Sequence, residues 1–485
     1  MPTSPRQAGL YLDGAEQPAL SGETFASLAP ATGQVLGYAA RARAGDAERA
    51  VASAQRAFPA WAGLPPAERE HILLRAADQV DAQRAELMDL LIDESGSTIA
   101  KARYEAAYTA SLLRAAAGEV RRLAGETFPN EKPHRLSLVV REPLGVVLAI
   151  SPFNAPLVLL AKMIVFALAA GNTVIAKPSE ETPLIAVALA AALSAGGLPP
   201  GVFNVVTGFG AECGEPLARH PDVAGIALTG STATGLKIAA IAAERLKRVQ
   251  LELGGKNPLL VLGDVDPGQA AEIAAVGAFY HGGQICMSSA RIVAERRVAR
   301  AFAEALAEKA RRLHLGDLRD ERTAYGPLIN ARALAKVSAH VEAARAGGAE
   351  VLAGGAAHTG LTYQPTVLWD PPRQSPAWCE ETFGPVAAVV PAADLDEALA
   401  IANASDYGLS AGILTNDLTR GLTAARRLRC GAVHVGTHSF QSDALAPIGG
   451  FGLSGIGRSG GHYSVEHFTE LKWISLELGA TARPF

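Results

Sequence analysis

Cys286 lies in His281-Gly282-Gly283-Gln284-Ile285-Cys286-Met287-Ser288-Ser289, a small, polar stretch with paired glycines. Those glycines let a backbone approach a ligand closely. A nucleophilic sulfur needs access and nearby N–H donors to hold an oxyanion. Taken alone, the residue reads first as a packed cysteine at a loop-to-helix junction. Glu252 changes that reading. It ends the apolar run Val249-Gln250-Leu251-Glu252, just before Leu253 and the pair Gly254-Gly255. A carboxylate there can deprotonate a thiol, or activate a water to hydrolyse a thioester; a solvated glutamate at a strand end is the plainer alternative.

Two further groups bear on the same chemistry. Asn154, in Ser151-Pro152-Phe153-Asn154-Ala155-Pro156, sits in a sharp turn between a buried strand and a buried helix. Its amide can donate to an oxyanion, with the two prolines fixing its direction, although asparagine is common in turns for its own sake. Lys177 and Glu180, in Ala176-Lys177-Pro178-Ser179-Glu180, follow a parallel strand. Ligands of open α/β sheets bind at that edge, and a lysine and a glutamate so spaced can address ribose hydroxyls. A carboxylate accepts from a free 2′-hydroxyl and repels a 2′-phosphate, which favours NAD and leaves NADP open. A solvated ion pair has the same spacing.

The elements that must position these residues are legible from periodicity. Ala47 to Trp61 and Ala67 to Glu94 read as amphipathic helices separated by Pro65-Pro66. Val146 to Ile150, Thr173 to Ala176, Phe203 to Val206 and Gly225 to Leu228 read as buried strands, with helices through Ala170 and from Pro183 to Leu193 between them. That alternation implies a parallel, doubly wound sheet. A second α/β series begins near Pro258 and includes the helices Arg300 to Leu313 and Ile329 to Ala346 and the strand Val386 to Val390. Arg135 to Arg141 and Phe468 to Leu476 read as strands of an arm able to pair with another subunit. Gly450 to Gly455 and Gly455 to Gly460 each satisfy G-x-G-x-x-G, but neither follows a buried strand inside a βαβ unit. Both read as tight glycine loops. Gly208, Gly210 and Gly214 are better placed but have one residue too many for that fingerprint.

Composition bounds the function. A chain of 485 residues, 49% hydrophobic, requires more than one core. Its net charge of −4, with no basic stripe or polybasic run, gives no sign of nucleic acid or an anionic membrane surface. The longest apolar run, Leu157 to Ala170, is broken by Lys162 and is shorter than the roughly 20 residues of a bilayer span. Met1 to Arg6 lacks a signal-like apolar segment, so no secretion is expected. The four cysteines, Cys213, Cys286, Cys379 and Cys430, are isolated. They imply a reducing, cytoplasmic setting with no disulfide framework and no zinc site.

The chain resembles the aldehyde dehydrogenase superfamily along essentially its whole length. The resemblance rests on Pro152 to Pro156, Gly171 to Glu180, Thr229-Gly230-Ser231-Thr232, Glu252 to Lys256, Gly283 to Cys286, Glu381 to Val386 and Pro447 to Gly450, in the family's order. It implies a modified Rossmann nicotinamide-binding domain over 1–120 and 140–253, an α/β catalytic domain over 254–460, and a small β oligomerisation arm from 121–139 and 461–485. It implies Cys286 as nucleophile, Asn154 with the Cys286 N–H as oxyanion hole, and Glu252 as the base for deacylation. Cofactor contacts are implied for Ser151 and Pro152; for Lys177, Ser179 and Glu180 on the adenosine ribose; and for Gly210 and Gly214. Gly230 and Ser231 match the phosphate turn, while Leu253, Glu381 and Phe383 lie towards the nicotinamide. A homodimer or homotetramer acting on a small aldehyde, without a metal, follows.

Departures from the family lie in the glycine loop and the tunnel. Many members carry Lys where this chain has Gly452, and Glu where it has Ser459, which puts any proton relay through the loop in doubt. Many relatives place Phe after the oxyanion asparagine; Ala155 loses that bulk and admits a ring. With Pro447-Ile448-Gly449-Gly450, this is similar to benzaldehyde, salicylaldehyde and vanillin members. Lys162 stands where semialdehyde members often have Arg, so an acidic aliphatic aldehyde is the runner-up, and a bridge to a neighbouring acid explains the lysine equally. The expected tunnel comprises Ala155, Val158, Lys162, Ile285 and Phe440, with His438 and Gln441 at its mouth. A cysteine esterase would need neither Lys177 nor Glu180, a CoA-acylating enzyme would not need Glu252, and a catalytically silent protein would need none of them.

Overall fold

Five parallel strands carry the first group of residues to one edge. These are β1 (Val146–Ile150), β2 (Thr173–Lys177), β3 (Phe203–Val205), β4 (Val223–Thr229) and β5 (Arg248–Glu252), in the order β5-β4-β1-β2-β3. The structure is a computed structural model that describes residues 5–479. The opening residues of the expected N-terminus and the last six of the expected arm, 480–485, lie outside the described residues. In the register of the sheet, Ile150 pairs with Lys177 and Thr229 with Glu252. The turns after β1, β2, β4 and β5 therefore emerge side by side. The chain reverses its lateral direction between β1 and β4, and a crevice opens at such a switch point.

Two short antiparallel strands, Leu10–Leu12 and Ala15–Gln17, extend the sheet beyond β3. On the far side Gly455–Ile456 pairs antiparallel with β5, Glu252 lying opposite Gly455. The periodicity reading did not include these edge strands, which are too short to show a pattern.

Helix α2 (Pro156–Ala169) follows the Asn154 turn and is buried on nearly all sides, in accord with its unbroken apolar sequence. It packs against α1 (Ile99–Val120) and under α3 (Pro183–Ala195). The first-turn N–H groups of α2 and α3, which lack intrahelical partners, meet buried carboxylates from the N-terminal helices. Glu105 Oε1 accepts from Leu157 N at 2.9 Å and Val158 N at 3.2 Å. Glu94 accepts from Leu184 N at 2.8 Å and Ile185 N at 3.0 Å. The helix expected over Ala67 to Glu94 is two helices, Pro66–Ala82 and Arg84–Ser95. Gln83 makes the break at φ −94°, ψ 12°, without the Gly or Pro that would mark it in sequence.

The second sheet is built on β6 (Pro258–Val261), β7 (Arg291–Glu295), β8 (Thr366–Trp369), β9 (Val386–Ala392) and β10 (Ser410–Leu414), parallel and in the order β8-β9-β7-β6-β10. The arm is a separate antiparallel sheet. Thr469–Glu477 pairs with Arg135–Pro143 from end to end, and Glu126–Phe128 flanks the latter. Among the described residues no helix is long and apolar enough to cross a membrane, and none group into a metal-binding cluster. An α/β dinucleotide-binding unit, an α/β second unit and a small β arm are thus present as expected.

Candidate active site

The segment around Cys286 is held from several sides. Asn154 Nδ2 donates to the Gln284 carbonyl at 2.8 Å. Asn257 Nδ2 donates to the carbonyls of Cys286 at 2.8 Å and Ser288 at 3.1 Å. Ser439 Oγ donates to the Met287 carbonyl at 2.6 Å. Gln284 Nε2 reaches the Pro327 carbonyl, and its Oε1 accepts from Ile329 N. The glycines allow close packing within the protein. A Cβ on Gly283 would stand 2.0 Å from the Gly384 carbonyl oxygen, and one on Gly255 would stand 2.6 Å from the Cys286 carbonyl oxygen. They let backbone meet backbone, drawing the Cys286 loop against the segments bearing Gly254 and Glu381.

Cys286 is partly exposed. Burial of its surroundings, then the Glu381 and Glu252 carboxylates, push its thiol up to about 12, against the pull of Lys162. Glu252 is raised to about 7 by burial, with Lys162 and Arg458 opposing the rise. Its Oε1 is buried and without a hydrogen-bond partner, and its charge is within electrostatic reach of the thiol. Lys162 is buried on α2, and burial lowers its pKa while Glu252 and Cys286 raise it. It is therefore within electrostatic reach of both the acid and the sulfur. Pairing of Gly455 with Glu252 requires φ +140°, and a Cβ there would lie 1.9 Å from the Leu251 carbonyl oxygen. The glycine loop is thus a clasp on β5. Ser459, where many relatives have an acid, is buried with an unpartnered hydroxyl.

One open cleft is lined by Pro152, Asn154, Glu180, Gly230, Ser231, Leu253, Cys286, Glu381 and Phe383. Ser231 caps the helix Thr232–Ala243, its Oγ accepting from Thr234 N, so N–H groups of a helix start face the cleft where a pyrophosphate is favoured. Glu381 accepts from Gly255 N at 3.0 Å, and Phe383, at φ +56°, stands edge-on to Phe153 at 5.9 Å. Glu180 brings a carboxylate to the cleft, 3.5 Å from Lys177 Nζ. These groups fit a dinucleotide laid across the switch point.

Other expected residues stand outside that lining. Ser151 is buried with an unpartnered Oγ, and Ser179 Oγ accepts from Glu181 N. Lys177 Nζ donates to the Pro178 carbonyl. Gly210 and Gly214 form a single π-turn, Gly214 lying against the Lys177 stem. Ala155, Val158, Lys162, Ile285 and Phe440 are not on the cleft either. Ala155 and Val158 lie at the start of α2, and Phe440 stacks between His438 at 4.3 Å and Tyr280 at 5.4 Å. Sequence reading missed Arg332 and Lys336, which line the cleft from the first turns of the helix Ala331–Ala346. Their signal was an N-capping Asn330 ahead of two cations; Asn330 Nδ2 also donates to Glu181 Oε1 at 2.7 Å.

A cleft at the switch point of a doubly wound sheet, with a thiol and an amide in its lining, is the setting of a dinucleotide-dependent oxidoreductase. Residues 18–474 match the aldehyde dehydrogenase family, and the chain belongs to it. It is similar to a vanillin dehydrogenase of Pseudomonas fluorescens, 39% identical over 98% of this chain and 99% of the relative. It is also similar to a glutarate-semialdehyde dehydrogenase of Pseudomonas aeruginosa, 36% identical over 96% and 97%. Among solved structures, the NAD-dependent aldehyde dehydrogenase from Sinorhizobium meliloti superposes with a TM-score of 0.96, at 38% identity over 99% of this chain and 96% of that one. A salicylaldehyde dehydrogenase from Pseudomonas putida G7, complexed with salicylaldehyde, gives 0.96 at 34% identity over 99% and 100%. The protein is an NAD(P)-dependent enzyme that oxidises an aldehyde to the acid.

Proposed function

We propose that the enzyme oxidises an aromatic aldehyde with NAD, through a thioester on Cys286 that a water activated by Glu252 hydrolyses. The observation that carries this reading is the buried Glu252 oxygen that has no hydrogen-bond partner and lies within electrostatic reach of the Cys286 thiol. The Cys286 thiol loses its proton to solvent, and the Lys162 ammonium favours the resulting thiolate. Sulfur then adds to the aldehyde carbon. The alkoxide accepts from Asn154 Nδ2 and from the Cys286 N–H. Bound NAD supplies the hydride acceptor that turns this adduct into the thioester. Glu252, as the carboxylate, draws a proton from water as the oxygen attacks the thioester carbon. The acid leaves and the sulfur is restored.

Ala155, the stacked Phe440 and the vanillin and salicylaldehyde relatives support an aromatic substrate. Lys162 and the glutarate-semialdehyde relative support the second reading, an acidic aliphatic aldehyde. Glu180 supports NAD over NADP. We assign residues 1–120 and 140–253 to cofactor binding, 254–460 to the catalytic unit, and 121–139 with 461–485 to an arm joining a homodimer or homotetramer in the cytoplasm.

Reduced-nicotinamide absorbance with aromatic, aliphatic and acidic aldehydes tests the assignment. Cys286→Ala is expected to form no reduced cofactor. Glu252→Gln is expected to give one burst and then stall, because hydride transfer precedes the step it blocks. A Glu252→Gln enzyme that stalls without a burst would reverse this division of labour. Ester hydrolysis without cofactor, and no aldehyde oxidation, would sink it altogether.

A further inference from the structure

We infer that the substrate's aromatic ring carries an oxygen substituent, and that the Tyr108 hydroxyl donates a hydrogen bond to it. This rests on the aromatic reading above and extends it to the substrate's far end.

A group of aromatic side chains stands apart from the cofactor cleft. Tyr104 and Tyr108, one turn apart on α1, stack at 5.6 Å with their planes 17° apart. Tyr280 faces Phe440 at 5.4 Å and lies near Tyr104 and Glu105. None of these four lines the cofactor cleft. All are tied to the reacting groups. Glu105, between the two α1 tyrosines in sequence, holds the N-terminal amides of α2 directly after the Asn154 turn. Tyr280 immediately precedes the Cys286 loop. Phe440 follows Ser439, whose hydroxyl holds the Met287 carbonyl. Tyr108 packs against the large core cluster that also takes in the start of α2, and its hydroxyl is within electrostatic reach of Asp443, three residues beyond Phe440.

The Tyr108 hydroxyl is buried and has no hydrogen-bond partner. Buried hydroxyls are almost always paired, and an unpaired one calls for an explanation. Its acidic neighbour, Asp443, accepts through Oδ1 from Leu445 N at 2.8 Å and Ala446 N at 3.3 Å, and makes no hydrogen bond to Tyr108. Burial raises the Tyr108 phenol above its ordinary pKa, so it stays a neutral donor at working pH. An oxygen brought in by the ligand completes the hydroxyl; an unsubstituted ring or an alkyl chain leaves it orphaned. Sites built to hydrogen-bond a polar group discriminate against analogues that lack it.

The test compares kcat/KM for benzaldehyde with that for the best-used of the three hydroxybenzaldehydes, in the native enzyme and in Tyr108→Phe. The native enzyme is expected to favour the hydroxylated ring about tenfold, and Tyr108→Phe to reduce that ratio to about one, mainly through KM. A ratio that is the same in both enzymes overturns the inference. Thermal unfolding of Tyr108→Phe is expected to show no loss, since no intramolecular partner is removed; a lower midpoint would mean the hydroxyl has a structural partner and would also overturn it. Turnover of glutarate semialdehyde with no oxidation of any benzaldehyde instead sinks the aromatic reading itself, and this inference with it.

Discussion

Glu252 is an acid whose surroundings have been set against its own charge. Burial raises its carboxyl to about 7, and the cations Lys162 and Arg458 stop it rising further. A base half-ionised near neutrality suits water activation. The deacylation rate following the burst is therefore expected to rise with pH through about 7 and then level off. Replacing Lys162 by Met removes a cation that favours the carboxylate, so the same profile should move to higher pH; stopped-flow measurement of the slow phase would show it, and an unmoved profile would separate Lys162 from the base. Asn154 already commits one amide hydrogen to the Gln284 carbonyl, which aims the other. Asn154→Ala should slow the burst by about 10²–10³-fold, read from pre-steady-state formation of reduced cofactor.

At the scale of elements, two helices start on carboxylates that belong to other helices. Glu105 accepts from two α2 amides while its other oxygen pairs with Lys101 at 2.7 Å, all of it buried. Removing one partner of a buried ion pair strands the other charge, so Glu105→Ala should destabilise the fold by about 3–5 kcal/mol in urea unfolding. It should also lower the burst rate, because α2 carries the Asn154 turn. A loss below about 1 kcal/mol, the scale of an exposed pair, would show the pair to be solvated. The clasp on β5 makes a second case. Gly455→Ala meets the Leu251 carbonyl oxygen and an unfavourable φ, and should depress deacylation more than the burst by displacing the neighbouring Glu252. The sequence pattern placed α2 and β5 within a residue or so, since the apolar run of each is buried. It could not show that a glutamate 52 residues upstream caps α2, because nothing local at Glu105 distinguishes it from a surface glutamate.

For the whole molecule, the arm is the part least explained by a single chain. Its strand Thr469–Glu477 is an edge strand that exposes 59% of Leu471 and 61% of Trp473. Exposed apolar side chains on an open strand edge invite a second copy. The double variant Leu471→Glu/Trp473→Lys is expected to lower the sedimenting mass to that of a monomer while leaving far-UV circular dichroism intact. An unchanged mass would place the subunit interface elsewhere.

What the sequence determined by itself was chemistry and layering. Residue types at Cys286, Glu252 and Asn154 are chemical facts that need no coordinates, and buried strands and helices leave their periodicity in any chain that folds this way. The tertiary structure alone decided which distant backbones touch. Gly283 lies against Gly384, Gly455 clasps the strand of Glu252, and Arg332 and Lys336 enter the cleft from a helix whose pattern looks ordinary. It also decided that Tyr104, Tyr108, Tyr280 and Phe440 share a wall. Such contacts join segments separated by tens to hundreds of residues, and a local pattern records only what each segment buries, not what it is buried against.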